Sequence, residues 1–224
     1  MAQKPKRSPS RRAVRTGHDQ PAEPTTLRII GGQLRGRKLL YSGDARTRPM
    51  KDRVREALFN LIGNDVRGIH AIDLFAGTGA LGLEAMSRGA ARATFIEQHF
   101  PTAAIIRKNI QALDLEAVCQ VTAANTLIWF RQQPDLGPTP WLVFCSPPFD
   151  FYIDRRDDML GLLGACVQRA PAGSVIAVEC DERFDLSLLP CSGQWDVRSY
   201  PPAVVAIYRS TGDILHLSAT NGRS

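Results

Sequence analysis

Residues 73–85 read Asp73-Leu74-Phe75-Ala76-Gly77-Thr78-Gly79-Ala80-Leu81-Gly82-Leu83-Glu84-Ala85. The apolar run "IHAIDLF" (69–75) leads straight into this glycine turn, and the helix-forming segment "LGLEAMSRG" follows and stops at Gly89. Strand, Gly-x-Gly turn and helix make the opening of a parallel α/β unit. Gly77 and Gly79 allow a tight turn and a close approach of backbone to ligand with no Cβ in the way. The helix start behind them offers free N–H groups and a positive dipole end. The stretch Gly77–Gly82 also satisfies G-x-G-x-x-G, so the turn alone suits a dinucleotide as well as an adenosine-type cofactor. Glu97 ends the next apolar run, "RATFIE", 18 residues after Gly79. An acid there can accept both hydroxyls of a ribose; the alternative is an exposed strand-end carboxylate.

Working outward, strand and helix patterns alternate. After "RATFIE" come a helix "PTAAIIRKNIQAL" opened by Pro101, a weaker strand "AVCQVT" and a short helix "TLIWFRQ". The strand "PWLVFC", the helix "DDMLGLLGACVQRA" and the strand "GSVIAVEC" follow, and "WDVRSY" and "AVVAIYRS" close the pattern around Pro201-Pro202. This order predicts an α/β fold, a mainly parallel seven-stranded sheet covered on both faces by right-handed crossovers. Too few residues join the last two strands for a helix, so they form an antiparallel hairpin at one edge.

The chain has 224 residues, 44% of them hydrophobic and 22% charged, an ordinary globular composition. No apolar run is long enough to span a bilayer, and the N-terminus lacks the apolar core of a secretory signal. Five cysteines without a CxxC pair read as reduced and structural, which fits the cytoplasm, and no metal site is expected. Charge is uneven: residues 1–68 carry 16 Lys+Arg against 6 Asp+Glu, and the remainder 12 against 16. A basic front on a mildly acidic body suggests a polyanion partner, the alternative for the first 26 residues being a solvated tail that binds nothing in particular. Residues 1–26 are rich in Lys, Arg, Ser and Pro and are expected to be disordered. Residues 27–68 form a basic extension. In it "LRIIGGQLRGRKLLY" reads as a small hairpin and "TRPMKDRVREALFNLIG" as a helix, with Pro49 in its first turn and Val54, Leu58, Leu61 and Ile62 on its apolar stripe. Arg48, Lys51 and Arg55 lie off that stripe. Arg35, Arg37, Lys38, Arg48 and Lys51 are the candidate RNA contacts, while Arg53, beside Asp52 and Glu56, is the candidate brace. Residues 69–212 form the main domain and 213–224 a C-terminal tail.

Cys145-Ser146-Pro147-Pro148-Phe149-Asp150 ends the fourth strand of the main domain. Two prolines cannot continue a central strand, so it stops at a rigid loop bearing one hydroxyl and one ring. In an open parallel sheet the first and fourth strand ends are neighbours at the ligand crevice. Ser146, Pro147, Pro148 and Phe149 form a seat for a planar base with an exocyclic amine. Phe149 stacks, and Ser146 Oγ and the Pro147 carbonyl accept the amine hydrogens, which draws the nitrogen toward tetrahedral geometry and frees its lone pair. Nothing in the seat suits hydride transfer. The alternative role for Ser146 is a local turn cap.

"DLFAGTGALGLEAMSRGA", "FIEQ", "RKNIQAL" and "SPPF" resemble the S-adenosylmethionine-dependent amino-methyltransferases. "RIIGGQLRGRKL" followed by "RPMKDRVREALFN" resembles the bacterial 16S ribosomal RNA guanine-N2 methyltransferases of the small subunit, over roughly residues 27–209. The resemblance implies a Rossmann-like methyltransferase fold and S-adenosylmethionine as cofactor. It implies that Asp73, Phe75, Ala76, Gly77, Thr78, Gly79 and Glu97 hold that cofactor and that Asn125 contacts its adenine. It implies methyl transfer to N2 of a guanine in 16S rRNA or an assembling small subunit, by a protein expected to be monomeric. The departure is Ser146, where this family usually has Asp; Ser before Pro-Pro-Tyr is familiar from DNA cytosine-N4 methyltransferases. A DNA amino-methyltransferase and a non-catalytic rRNA assembly factor are the competing readings. Against the first, no segment is large enough for a target-recognition region.

Overall fold

The structure, a computed structural model, describes residues 27–41, 43 and 49–211. Both predicted tails and Arg48 lie outside the described residues.

Strands β1 (His70–Asp73), β2 (Arg92–Ile96), β3 (Cys119–Thr122), β4 (Trp141–Cys145) and β5 (Val175–Asp181) pair in parallel. β7 (Ala203–Arg209) runs antiparallel between β5 and the edge strand β6 (Trp195–Tyr200), giving the order β3-β2-β1-β4-β5-β7-β6. Apolar residues on alternate sides of each strand feed two cores, as in β4, where Leu142 and Phe144 enter one and Val143 and Cys145 the other. Helices α1 (Asp52–Ile62), α2 (Ala80–Ser87) and α3 (Phe100–Ala112) cover the first face. Helices α4 (Thr126–Arg131) and α6 (Arg156–Arg169) cover the second, and a short α5 (Phe151–Asp154), which the sequence pattern does not show, precedes α6.

Strand order reverses between β1 and β4, which opens a crevice at their carboxyl ends. The register pairs Asp73 with Phe144, and Leu74 N–H donates to the Phe144 carbonyl at 3.0 Å. The glycine turn and the Ser-Pro-Pro-Phe loop therefore leave the sheet side by side.

The expected front hairpin is too short to form regular strands. A single antiparallel bridge joins Arg28 and Lys38, flanked by backbone bonds Ile29 N–H to Arg37 O (3.0 Å) and Leu39 N–H to Leu27 O (2.8 Å). Leu27, Ile29 and Leu39 are buried in the same core as α1–α3, so this segment packs as part of the main body. It is clamped to α2. Glu84, wholly buried, accepts the N–H groups of Ile30 and Gly31, each at 2.7 Å, and the Arg88 guanidinium at 2.8 Å. Gly32 has φ +76°, and a Cβ there would lie 2.0 Å from the Ser87 carbonyl oxygen, so only glycine fits. Arg37 donates to the carbonyl of Ala112, the last residue of α3.

Two further expectations change. The helix begins at Asp52 rather than near Pro49, because Lys51 stays extended (φ −58°, ψ 139°) and Pro49-Met50-Lys51 runs along the crevice. Arg55 does not lie off the buried stripe. Its side chain is 1% exposed, donating to Arg28 O at 2.6 Å and Asp52 at 3.0 Å, with Glu84 3.9 Å away. Burial lowers its pKa, and the Asp52 and Glu84 carboxylates act in the other direction. The brace is therefore Arg55; among the described residues Arg53 reaches only the Pro201 carbonyl, at 3.4 Å.

Candidate active site

One cavity of about 730 Å³ lies at the crevice, and both sequence motifs open onto it. On the β1–β3 side its wall includes Phe75, Gly77, Ile96, Glu97, Asn125 and Leu127. Gly77 (φ 51°) and Gly79 (φ 75°) make the turn, and Gly79 N–H closes on the Ala76 carbonyl at 2.6 Å. Glu97 fastens that turn to the next loop: one carboxylate oxygen accepts Gly77 N–H at 2.8 Å and the other His99 N–H at 2.7 Å. Each oxygen keeps a lone pair for a hydroxyl of a ligand. Asn125 caps α4 through Ile128 N–H at 3.2 Å, and its amide donates to Gln98 at 3.3 Å.

Asp73, Ala76, Thr78 and Gly79 sit behind this wall rather than on it. Asp73 is 1% exposed, with one oxygen accepting Gly82 N–H at 3.2 Å and the other without a hydrogen-bond partner. Burial pushes its pKa up to about 7, against the pull of the Gly82 bond.

On the β4–β5 side, Ser146, Pro147, Pro148 and Phe149 all line the cavity. The Pro148 and Phe149 carbonyls accept the N–H groups of Phe151 (2.9 Å) and Tyr152 (3.1 Å), so they are committed to the turn into α5, which does not use the Pro147 carbonyl. Buried Tyr152 anchors the loop from below through its hydroxyl and the Cys145 carbonyl at 3.3 Å. The Ser146 hydroxyl donates to Glu179, a residue the sequence reading missed. The parallel register pairs Cys145 with Val178, so the next positions, Ser146 and Glu179, emerge side by side on one face. Burial raises the Glu179 pKa, and the Ser146 bond acts against that rise. Glu179, like Glu97, is an acid that follows an apolar run, and that shared pattern was the signal that could have found it. Pro49, Met50, Lys51, Arg183, Tyr200 and Pro202 also line it, and Arg183 bridges Asp150 (2.8 Å) and Asp181 (2.7 Å) at the rim.

Of the basic candidates, Lys51 lies on the cavity wall and Arg35, Arg37 and Lys38 do not. The Arg37 guanidinium reaches the Ala112 carbonyl at the end of α3, the backbone beside Arg35 is held by Ser87 at the end of α2, and Lys38 pairs with Arg28. His70 is structural, its ring nitrogens bonded to Thr94 (2.8 Å) and the Leu136 carbonyl (3.1 Å), and burial lowers its pKa. All five cysteines are free, and among the described residues no helix is long and apolar enough to cross a membrane.

Sheet order, crevice and paired loops define a Rossmann-like methyltransferase fold. The Thermus thermophilus 16S rRNA N2 G1207 methyltransferase, solved with AdoMet and guanosine, shares that fold at TM-score 0.64 and 19% identity, covering 83% of this chain and 49% of that one. The Escherichia coli protein yhhF matches at TM-score 0.70 and 31% identity, covering 84% of this chain and 99% of that one. The chain belongs to the family described as Conserved hypothetical protein 95, whose model matches residues 27–208. Its relatives include the Ribosomal RNA small subunit methyltransferase D of E. coli (42% identity; 55% of this chain, 60% of that one) and of Haemophilus influenzae (38%; 58% and 67%). The chain thus spans about 60% of the length of the E. coli relative. S-adenosylmethionine is the cofactor of this fold, and the cavity fits it: Phe75, Ile96 and Leu127 offer an apolar slot for a purine beside Glu97 as acceptor for a ribose diol.

Proposed function

We propose that this protein transfers a methyl group from S-adenosylmethionine to the N2 amine of a guanine in 16S rRNA, acting as a cytoplasmic monomer on the rRNA or the assembling small subunit. The carrying observation is that the Glu97 wall and the Ser146-Pro147-Pro148-Phe149 seat face each other across one cavity. The names of the relatives support the substrate class, and the guanosine seat of the Thermus enzyme, a protein of the same fold, supports the base.

Glu97 takes the ribose hydroxyls, Phe75, Ile96 and Leu127 hold the adenine, and Asn125 reaches its edge. Asp73, Ala76, Thr78 and Gly79 shape the turn that positions Gly77. When bound, the cofactor supplies a methyl carbon that accepts the amine lone pair while its bond to sulfur breaks and sulfur keeps the electron pair. Phe149 stacks on the guanine, whose amine is held by Ser146 Oγ and the Pro147 carbonyl. Catalysis in such a seat is mainly positioning. Lys51 meets RNA at the mouth, and Arg35 and Lys38 extend the contact along the flank, with Arg48 in the segment between. Methyl transfer to naked 16S rRNA, assembled small subunits and DNA, measured in parallel and followed by mass-spectrometric mapping of N2-methylguanosine, tests the reading. Transfer to DNA alone, or a methyl group on another atom, refutes it.

A further inference from the structure

We propose that Glu179 is a positioning residue for the target amine: it accepts the Ser146 hydroxyl hydrogen bond, which leaves Ser146 Oγ an acceptor toward the cavity, and it receives the amine's surplus proton through that same hydroxyl. The inference rests on the proposed methyl transfer to an exocyclic amine.

A serine hydroxyl is one donor and two acceptor sites on a free rotor. Left alone in the cavity it could point its hydrogen at the amine and repel it. Here the hydrogen is committed to Glu179, so both remaining lone pairs belong to the cavity side. The commitment is built into the sheet, since the β4–β5 register fixes the two residues as neighbours. A negative acceptor also polarises the O–H bond and makes Oγ a stronger acceptor. In this chain a serine backed by a carboxylate therefore does the work of the Asp that the resembling family usually places before Pro-Pro-Phe.

The same pair accounts for a proton. Once the amine nitrogen gains a bond to carbon it carries one hydrogen too many. An N–H bond breaks toward Ser146 Oγ as the Ser146 O–H bond breaks toward Glu179. Serine is regenerated, Glu179 ends neutral, and its proton leaves to solvent through the cavity. The surroundings suit a carboxylate that takes a proton. Met50, Leu58, Leu81 and Val205 pack around it, and burial raises its pKa. The Tyr152 hydroxyl and the Cys180 thiol also feel the Glu179 charge, and burial raises the pKa of both, the thiol's up to about 12. Lys51, Asp150 and Arg183 stand on the same cavity wall, the last two paired with each other.

The test uses the full chain. Carbon-13 NMR titration of the Glu179 carboxyl, without substrate, is expected to show a pKa above the ordinary glutamate range that rises further in Ser146→Ala, because the hydroxyl bond that lowers it is gone. Single-turnover methyl transfer to small subunits at saturating cofactor is expected to fall on the acid side with that same pKa. Glu179→Gln keeps the size and an acceptor oxygen but cannot take the proton. It should slow transfer about tenfold and abolish the acid limb, while S-adenosylmethionine affinity stays within twofold. Ser146→Ala combined with Glu179→Gln should be no slower than Ser146→Ala alone, since Glu179 acts through the serine. A Glu179 titration indifferent to Ser146→Ala overturns the inference, as does a Glu179→Gln variant at full speed with the limb intact. If the wild type transfers no methyl to rRNA, the proposed function falls and takes this inference with it.

Discussion

Two glutamates at the ends of parallel strands face the same cavity from opposite sides, and the protein treats them differently. Glu97, beyond β2, receives two backbone N–H groups, from Gly77 and His99. Glu179, in β5, receives one side-chain hydroxyl, and burial raises its pKa. Two rigid N–H donors hold a carboxylate in place as a fixed acceptor. A single hydroxyl donor, which can also accept, leaves the carboxylate free to exchange a proton. Residue type and strand position therefore do not tell the two glutamates apart; the donors that reach each carboxylate do, and the proposed roles rest on that difference.

The comparison is sharpest at Glu97. Glu97→Ala should weaken S-adenosylmethionine binding by about 3 kcal/mol, on the order of 100-fold in Kd, through lost charge-assisted bonds to the ribose and a loosened Gly77 turn. Calorimetry checks it, and unchanged affinity removes Glu97 from the cofactor side. Phe149→Ala lies on the other side. It should cost roughly 1–3 kcal/mol of base stacking in single-turnover transfer, with cofactor affinity unmoved. Equal losses in both measurements would erase the division of the cavity into halves. Ser146→Ala should slow transfer about tenfold, from roughly 1.4 kcal/mol of lost hydrogen bonding in the seat; wild-type speed would leave the Pro147 carbonyl and Phe149 to hold the amine alone.

Asp73 offers a third carboxylate, turned into the protein. Its folded pKa of about 7 lies above its ordinary value of 3.8, so the folded state holds the proton more tightly. The sign follows: its contribution is full below pH 3.8 and is lost as pH rises toward 7, with a slope on the order of 1 kcal/mol per pH unit. Asp73→Asn, which can still accept Gly82 N–H, should flatten that loss, so its melting temperature should exceed wild type at pH 8 by more than at pH 5. A constant difference at the two pH values would show that Asp73 is charged when folded. The smallest effect belongs to the flank that does not line the cavity. Neutralising Arg35, Arg37 and Lys38 should lower the salt slope of RNA binding by about 1–2, less than three full phosphate contacts, because Arg37 is spent on the Ala112 carbonyl. Single-turnover rates at saturating RNA should not change, and a large fall would bring this flank into the reacting centre.

The sequence by itself determined the alternation of strands and helices, the antiparallel edge pair, the glycine turn and the Ser-Pro-Pro-Phe stop. Each of these is local: periodicity, chain-breaking residues and turn chemistry act within a few positions. It also placed Glu97, because an acid beyond the strand that follows a Gly-x-Gly turn has a fixed relation to that turn in a parallel unit. Only the tertiary structure decided the rest. Glu179 meets Ser146 through a register between strands 33 residues apart, set by the α5–α6 crossover and not by either strand's pattern. Arg55 looks like a surface cation on a helical stripe. It is buried because α1 packs between the front segment and α2, where Glu84 and Asp52 meet it. The front segment's basic residues cluster in sequence but divide in space, Lys51 on the cavity wall and Arg35, Arg37 and Lys38 off it, with Arg37 at the end of α3. A charge count cannot see that division, since it follows from where Glu84, Ser87 and Asn109 hold the backbone of residues 30–40.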